Sequence, residues 1–320
     1  MLFLGIDGGG TKTKAVLVSE DGKLLGLGLS GPTNLLENGE KLFIENLKKC
    51  LSGLLKKVKN KEVISCFGLP AIGEFKDSEK VVSKILETNF NIRPRIIVND
   101  VVIGWAAGTL GKDGIHIVAG TGAIVFGKKG DKTIRVTGWG SLIGDEGSAY
   151  HIGLETLREV SKQLDGRSRK TVLTEIVFNG LNLKTHYDFI DFVYSADDRR
   201  KKIAFVAQLT YEAALQNDFK ALKILKNAGK ELGLSIYAGV KKLGLINPLI
   251  TYNGSVLEKN LFVRKAFEEY LNKKILNPII KQVEFDPVLG AIVLAYKEKY
   301  KEIPEDFILK LKKINNYIIN

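Results

Sequence analysis

The chain of 320 residues is long enough to bury the cores of two domains, or of one large domain. Its hydrophobic fraction of 45% and charged fraction of 26% exclude a disordered or fibrous protein. The net charge of +12 comes from lysines spread over many helical segments without interleaved aromatic residues, which favours a solvated basic surface over nucleic-acid binding. The longest apolar runs are too short to cross a bilayer, and no signal-peptide pattern opens the chain. A cytoplasmic protein without membrane partners is therefore expected.

The first motif is a glycine cluster that follows an apolar strand, in the sequence Gly-Ile-Asp-Gly-Gly-Gly-Thr-Lys-Thr-Lys of residues 5–14. Glycines let backbone N–H groups approach phosphate oxygens, and threonines add hydroxyl donors. Asp7, at the end of the strand, can hold a hydrated Mg²⁺. A Walker A loop is excluded because Thr11 separates Gly10 from Lys12 and a strand follows. A plain hairpin turn is the structural alternative. The predicted phosphate-binding residues are Gly9, Gly10, Thr11, Lys12 and Thr13.

The same order of elements returns about a hundred residues later. Residues 2–29 and 115–137 each contain a strand, a glycine turn, a second strand, a further turn and a third strand. This pattern indicates an internal duplication of architecture rather than of sequence. The second glycine turn, Gly120-Thr121-Gly122, is weak alone but becomes a strong candidate for a second phosphate loop when paired with the first.

Between the two copies, residues 40–58 and 78–88 have helical periodicity, and residues 62–69 and 95–98 read as strands. The second of these strands ends at Asn99-Asp100, and its apolar run, residues 96–98, is expected to be buried. A carboxylate that projects from a strand end is a candidate general base for an alcohol, which makes Asp100 the predicted catalytic residue. A helix N-cap is the structural alternative for Asp100.

The second half is mostly helical over residues 148–244, followed by a strand, 249–252, and helices over 261–271 and 289–300. Strands that alternate with helices predict an α/β fold with ligands at the carboxyl ends of the strands. Asn253-Gly254-Ser255 follows such an end. A third cluster, residues 138–150, combines Gly138 and Trp139, which can face a sugar ring, with Asp145, which can accept hydroxyl hydrogen bonds. A loop that caps the next helix is the alternative there.

With these clusters in this order, the chain resembles the superfamily that unites actin, hexokinase and the heat-shock ATPases. Within it, the sequence is most similar to N-acetylglucosamine kinases and archaeal ATP-dependent hexokinases, over essentially the whole chain. The resemblance implies an α/β fold with two actin-like (ribonuclease H-like) domains that flank an interdomain nucleotide and sugar cleft. We expect a small domain of residues 1–107 plus 304–320 and a large domain of residues 108–303.

The resemblance also implies ATP- and Mg²⁺-dependent phosphorylation of a hexose or amino sugar at its 6-hydroxyl. Glucose, glucosamine, N-acetylglucosamine and N-acetylmannosamine stay open as substrates, and a homodimer stays open as the assembly. Asp100 falls at the catalytic base, and residues 285–291 are similar to the closing Pro-x-x-Gly-Ala signature. The implied adenosine-motif residues are Asn253, Gly254 and Ser255. The implied sugar-binding residues are Asn34, Asn99, Asp100, Gly138, Trp139 and Asp145.

Two departures from the family pattern affect these expectations. Asn253 replaces the first of two glycines of the adenosine motif, and residues 68–73 lack the usual Gly-x-Ala-Gly turn.

Two other functions are possible on the same fold. An ATPase activator of a 2-hydroxyacyl-CoA dehydratase needs a cysteine near the second loop, where Ile117 and Val118 stand, while Cys50 and Cys66 lie elsewhere. A non-catalytic sensor would be expected to lack Asp7 and Asp100, and both are present.

Overall fold

The computed structural model describes residues 1–58, 61–194 and 198–319. The chain forms two compact units, which are described separately below. The first unit comprises Met1–Asp113 and Val283–Asn320, of which Asn320 lies outside the described residues, and the second comprises Gly114–Gln282. No helix within the described part of the chain is long and apolar enough to span a membrane.

Ten strands and twelve helices are assigned within the described residues. The first segment contains β1 (Leu2–Gly8), β2 (Thr13–Ser19), β3 (Leu24–Ser30), α1 (Leu35–Leu55), β4 (Val63–Leu69), α2 (Ser78–Phe90), β5 (Ile96–Asn99) and α3 (Asp100–Thr109). The second unit contains β6 (Gly114–Ala119), β7 (Ala123–Lys129), β8 (Lys132–Thr137), α4 (Ala149–Leu164), α5 (Val172–Gly180), α6 (His186–Tyr194), α7 (Arg199–Leu215), α8 (Phe219–Leu243), β9 (Leu249–Asn253), α9 (Ser255–Lys259), α10 (Leu261–Lys274) and β10 (Ile279–Gln282). The chain then returns to the first unit with α11 (Pro287–Tyr300) and α12 (Glu305–Ile319).

The two sheets have the same topology. In the first sheet the order is β3-β2-β1-β4-β5, with β1, β2 and β3 antiparallel and with β4 and β5 parallel to β1. The second sheet repeats this order as β8-β7-β6-β9-β10, with the same directions. The predicted α/β class and the predicted duplication of architecture are therefore confirmed.

Glycines allow α11 to lie directly against the central strand of the first unit. A β-carbon on Gly5 of β1 would lie 2.8 Å from the carbonyl oxygen of Val288, and one on Gly290 would collide with the carbonyl oxygen of Ile103 in α3. The Pro-x-x-Gly-Ala segment packs so close to both β1 and α3 that neither position has room for a side chain. The ring of Phe3 in β1 adds an aromatic contact to Tyr296 of α11, with 5.1 Å between the ring centroids.

This packing explains why the boundaries of the two units differ from the predicted domain boundaries. Residues 108–113 and 283–303, which the sequence analysis placed in the large domain, belong to the first unit. The reason is that α11 supplies part of the core beneath β1 and β4. Helix α12 also lies in the first unit, where the Phe307 ring stacks on Tyr296 at a tilt, with 4.2 Å between the ring centroids.

Two parts of the fold differ from the sequence predictions. The residues that follow Asn99 form α3, a helix that the analysis did not predict. The apolar run of β5, residues 96–98, was expected to be buried, and this is wrong because all three residues are partly exposed. Strand β5 has only four residues and lies at the edge of its sheet, so its backbone is paired on one side only.

Candidate active site

In the first unit, strand pairing brings Asp7 next to Lys14. The two residues lie directly opposite each other in the antiparallel pair of β1 and β2, one position before the hairpin closes at Gly8 and Thr13. The Lys14 ammonium forms an ion pair with the carboxylate of Asp286. Asp286 is the N-cap of α11, where its other oxygen accepts from the Val288 N–H at 3.2 Å. The packing of α11 on β1 thus delivers a second carboxylate to the end of the first strand.

Asp7 has an environment that disfavours its charged form. Its pKa is raised from 3.8 to about 8, first by burial and then by the negative charges of Asp286 and Asp100. The ammonium groups of Lys14 and Lys12 act in the opposite direction. Because the charge of Asp100 acts on Asp7, the predicted metal ligand and the predicted base lie near each other in the first unit. A cation that bound there would favour the ionised carboxylate.

Helix α3 begins at Asp100, and the residue before it caps the helix. Asn99, not Asp100, is the N-cap, since its Oδ1 accepts from the Val101 N–H at 3.2 Å. The Nδ2 of Asn99 donates to the carbonyl oxygen of Ile72 at 3.0 Å. Both ends of the Asn99 amide therefore have a partner within the protein, and its role in sugar binding stays a prediction. Asp100 is the first residue of α3 and is partly exposed.

The first glycine loop is attached to the segment that precedes α1. The Thr13 hydroxyl donates to the carbonyl oxygen of Gly31 at 2.8 Å and lies 2.9 Å from the Thr33 hydroxyl. Thr13 is fully buried and its hydroxyl is bonded within the protein, and its role as a hydroxyl donor to phosphate stays a prediction. Gly10, Thr11 and Lys12, in contrast, are exposed at the tip of the loop and stay candidates for phosphate contacts.

Asn34, predicted to bind sugar, is the N-cap of α1. Its Oδ1 accepts from the N–H groups of Leu36 at 3.1 Å and of Glu37 at 3.3 Å. The helix is interrupted shortly afterwards at Gly39, which has φ of 74°. The amide oxygen of Asn34 is thus used for capping, which leaves its amide nitrogen as the group for a sugar hydroxyl.

In the second unit, the loop Gly120-Thr121-Gly122 is built onto the N-terminus of α4. The N–H of Ala149 donates to the carbonyl oxygen of Gly120 at 2.8 Å, and the N–H of Tyr150 donates to that of Thr121 at 3.2 Å. Ser148 caps the helix by accepting from the His151 N–H at 3.2 Å. The second glycine loop and the predicted sugar-binding segment before α4 are therefore parts of one local assembly.

Asp145, predicted to bind sugar, contacts the same loop. It is buried and adopts a left-handed backbone conformation with φ of 59°. Its Oδ2 accepts from Arg200 Nη2 at 3.1 Å. Burial raises the pKa of Asp145, while Arg200 and a backbone hydrogen bond from Ala123 act to lower it. Trp139, from the same predicted cluster, is instead 75% exposed, on a loop that turns at Gly138 and Gly140 with positive φ.

The predicted adenosine motif lies beside this assembly, at the end of β9. Gly254 has φ of 97°, and a β-carbon there would collide with the backbone of Ala119, immediately before the second glycine loop. Asn253 is partly exposed and Ser255 is exposed. His116 is buried next to this motif. A hydrogen bond of 3.0 Å joins its Nδ1 to Thr251 Oγ1. Burial lowers the pKa of His116 to about 3, so the ring is neutral.

Comparison with known proteins identifies the family. A sequence profile of the BadF/BadG/BcrA/BcrD ATPase family matches residues 4–295. The chain belongs to this family. The match includes both glycine loops, Asp100, the adenosine motif and the Pro-x-x-Gly-Ala segment, and the predicted superfamily resemblance is thereby confirmed.

Two curated kinases are similar to the chain over nearly its whole length. An N-acetylmuramic acid/N-acetylglucosamine kinase of Clostridium acetobutylicum is 31% identical, and the match covers 92% of this chain and 98% of that protein. An N-acetyl-D-glucosamine kinase of Dictyostelium discoideum is 34% identical over 93% of this chain and 98% of that protein. A solved structure from Chromobacterium violaceum, provisionally assigned as an N-acetylglucosamine kinase, has a TM-score of 0.70 at 20% identity and covers 92% of this chain and 98% of its own.

Membership of this ATPase family implies that the chain uses ATP. Among the described residues, no group of three or more His, Cys, Asp or Glu side chains could hold a metal ion by itself. Magnesium commonly keeps several waters and binds through one or two carboxylates plus substrate phosphates. The role of Asp7 in such a partial site stays a prediction, and burial and two neighbouring carboxylates disfavour its ionised form when no cation is bound.

Sequence reasoning missed three charged residues that the structure adds to these clusters. Asp286 was seen only as part of the Pro-x-x-Gly-Ala signature, and Lys14 only as the end of the first glycine motif. Their ion pair joins positions 272 residues apart, so no local pattern could reveal it. Arg200 stands among several basic residues at the start of α7, and nothing in that run distinguishes it before Asp145 is located.

Proposed function

We propose that this protein is an ATP-dependent kinase that transfers a phosphoryl group to the 6-hydroxyl of an amino sugar, with N-acetylglucosamine as the first candidate. The observation that carries the proposal is identity of 31% and 34%, over more than nine tenths of the chain, to two kinases named for N-acetylglucosamine. The resemblance that the sequence motifs carry also implies a sugar kinase. The cluster of Asp7 and Asp100 adds chemistry that suits this reaction.

Asp100 is the proposed general base. It lies at the start of α3, beside a cap that is made by another residue, so its carboxylate is not needed to begin the helix. In the ground state it accepts a hydrogen bond from the sugar hydroxyl and orients this oxygen towards the phosphorus. As the new P–O bond forms and the bond to ADP breaks, Asp100 takes the hydroxyl proton. Phosphoryl transfer depends mainly on such positioning and on charge neutralisation.

The two glycine loops are the proposed phosphate contacts. Gly9, Gly10, Thr11 and Lys12 supply backbone N–H groups, a hydroxyl and an ammonium from the exposed tip of the first loop. In the second loop, residues 120–122, two carbonyl oxygens accept hydrogen bonds from N–H groups at the start of α4. Residues 253–255 are proposed for the adenosine part of ATP.

Magnesium bound near Asp7 would neutralise charge on the nucleotide phosphates. The chain's own contribution is to hold the Asp7 carboxylate at the end of β1, opposite Lys14. The Lys14 ammonium is paired with the Asp286 carboxylate. This pairing reduces competition between the Lys14 ammonium and a metal ion for Asp7.

A panel of sugars in a coupled ADP-release assay tests the proposal and selects the substrate. We expect ADP release to depend on added sugar, with N-acetylglucosamine favoured over glucose, glucosamine and N-acetylmannosamine. Phosphorus NMR of the product would then locate the phosphate on the 6-oxygen. ATP hydrolysis at a rate that no sugar changes would contradict the proposal. It would favour instead an activator of a dehydratase, although the cysteine that such an activator needs is absent at residues 117 and 118.

A further inference from the structure

His116 on β6 and Asn253 at the end of β9 bring two unsatisfied polar atoms to one face of the second sheet. The parallel register pairs His116 with Thr251 and Val118 with Asn253, so the side chains at 116, 251 and 253 share this face. Nε2 of His116 and Oδ1 of Asn253 are both buried, and neither has a hydrogen-bond partner of good geometry among the described residues. Such atoms are rare in folded proteins, because each costs free energy until a partner is supplied.

The two atoms are chemically complementary. Burial lowers the pKa of His116 to about 3, while the Thr251 backbone and the Asn253 side chain act to raise it, so the ring is neutral and the amide lies close to it. A neutral imidazole has one N–H donor and one acceptor nitrogen. The Thr251 hydroxyl lies 3.0 Å from Nδ1 and can donate to it, which leaves the N–H at Nε2. This N–H is the donor that the buried Asn253 oxygen lacks.

We infer that His116 is a positioning residue for Asn253, whose amide binds the nucleoside part of ATP. The Nε2–H donates to Asn253 Oδ1 and fixes the rotation of the amide, so that the Nδ2 donors point away from the buried oxygen. Asn253 as a whole is partly exposed, and Nδ2 is the end of the amide left for a ligand. The group that it recognises is an acceptor, either a ring nitrogen of the base or a ribose oxygen. This inference rests on the proposed function, which gives residues 253–255 to adenosine.

The place of the pair in the sheet points to a ligand. Asn253 is the last residue of β9 and is paired with Val118, two residues before the second glycine loop. Strands β6 and β9 run in parallel, so their carboxyl ends meet at this edge, where open α/β sheets bind ligands. This chain also has a side chain where the family pattern has a glycine. The amide therefore adds a contact that a glycine at this position would not make.

A matched pair of substitutions at position 116 tests this inference by calorimetric titration with ATP and AMP, in Mg²⁺ and without sugar. The amide nitrogen of glutamine reaches as far as histidine Nε2, whereas that of asparagine reaches only as far as Nδ1. His116→Gln should therefore keep an affinity close to that of the wild type. His116→Asn should weaken binding of both nucleotides about 3- to 10-fold, as for loss of one hydrogen bond between uncharged groups. Thr210→Val is the control: it removes another buried hydroxyl of this unit, 2.7 Å from Thr156 Oγ1, and should lower Tm without changing either affinity.

Substitutions of Asn253 separate positioning from packing. Asn253→Ala should weaken binding to the same extent as His116→Asn, and the double variant should bind no more weakly, because the histidine acts only through the amide. Asn253→Asp keeps an oxygen for the Nε2–H but has no N–H donors, so it should bind no better than Asn253→Ala. Equal affinities of His116→Gln and His116→Asn, additive losses in the double variant, wild-type affinity of Asn253→Asp, or an equal loss in Thr210→Val would overturn the inference.

Nucleotide analogues locate the acceptor. The loss caused by Asn253→Ala should vanish with the analogue that lacks the contacted atom, which is a deazaadenine nucleotide for a base nitrogen or a deoxyribonucleotide for a ribose oxygen. A loss that persisted with every analogue of both series would overturn the assignment to the nucleoside. The proposed function fails separately, on the wild-type protein, if no sugar changes ADP release. Wild-type protein that bound neither ATP nor AMP would overturn both.

Discussion

The two units use one sheet topology for different chemistry. At the position where the first unit places the facing pair Asp7 and Lys14, the second places Val118 and Ile124, one pair before the hairpin closes in each case. The first hairpin is thus charged at its end, and the second is apolar there. What the second unit has instead is a loop whose carbonyl oxygens are fixed on a helix N-terminus and whose neighbours are Asp145 and Arg200.

This difference indicates a division of labour that the shared topology does not dictate. Titratable groups that can hold a cation or take a proton are collected at the strand ends of the first unit. The corresponding ends in the second unit offer backbone groups and the Asn253 amide, to which the nucleotide is proposed to bind. Function thus follows from the residues placed on the duplicated scaffold rather than from the scaffold itself. The following experiments test this division, from the largest expected effect to the smallest.

The largest effect is expected for Asp100→Asn in the first unit. The substitution removes charge and basicity but keeps the size, and Asn99 still caps α3. Because general acid–base catalysis typically contributes about 10²–10⁴-fold, kcat should fall in that range while the KM values for ATP and sugar stay within a few-fold. Steady-state kinetics and a thermal melt measure both aspects. Turnover close to that of the wild type would remove Asp100 from catalysis.

In the second unit, Gly254→Ala should damage nucleotide binding and stability together. The new β-carbon would collide with the backbone of Ala119, and φ at this position is 97°. Overpacking and an unfavourable backbone conformation together should lower the free energy of unfolding by about 2–5 kcal/mol. Gly130→Ala is the control, since φ is also positive there but the site is open. Equal losses in the two variants, measured by chemical denaturation, would show that the contact with Ala119 is unimportant.

The charged hairpin end of the first unit predicts a pH effect on stability. Because the pKa of Asp7 is about 8 in the folded protein and near 3.8 when unfolded, the native state binds more protons between these values. Stability without Mg²⁺ and nucleotide should therefore fall as pH rises from about 4 to 8. Asp7→Asn removes this contribution, so the variant's Tm should rise relative to that of the wild type across this window. A difference in Tm that did not change with pH would contradict the raised pKa.

The smallest effect concerns Asn34, where two roles can be separated. Asn34→Ala removes the cap of α1 and should cost about 1 kcal/mol of stability, and it should also weaken sugar binding. Asn34→Asp keeps the capping oxygen but removes the amide N–H donors. Its stability should therefore stay at the wild-type level while the KM for sugar rises. Unchanged KM values in both variants would leave Asn34 as a cap only.

The sequence predicted much of the fold because glycine turns mark both copies of the first hairpin. Helix α3 was missed for a physical reason: Val101, Ile103 and Trp105 are all buried, so the helix has no polar face to reveal its period. Strand β10 was missed because it is a mostly exposed edge strand of four residues. Within the candidate site, Asp7 and Asp100 follow from strand ends, but the partners of Lys14 and Asp145 depend on tertiary contacts.

The return of the chain to the first unit has a consequence for its synthesis. Strand β1 leaves the ribosome first, but α11, which covers it, is made only after the whole second unit. At about 5–20 residues per second, roughly ten to forty seconds pass between the synthesis of β5 and that of α11, and the apolar surface around Gly5 stays uncovered during this time. The second unit, which is continuous in sequence, can complete its core during this interval. The unit that carries the proposed base can therefore complete its core only after the second unit has been synthesised.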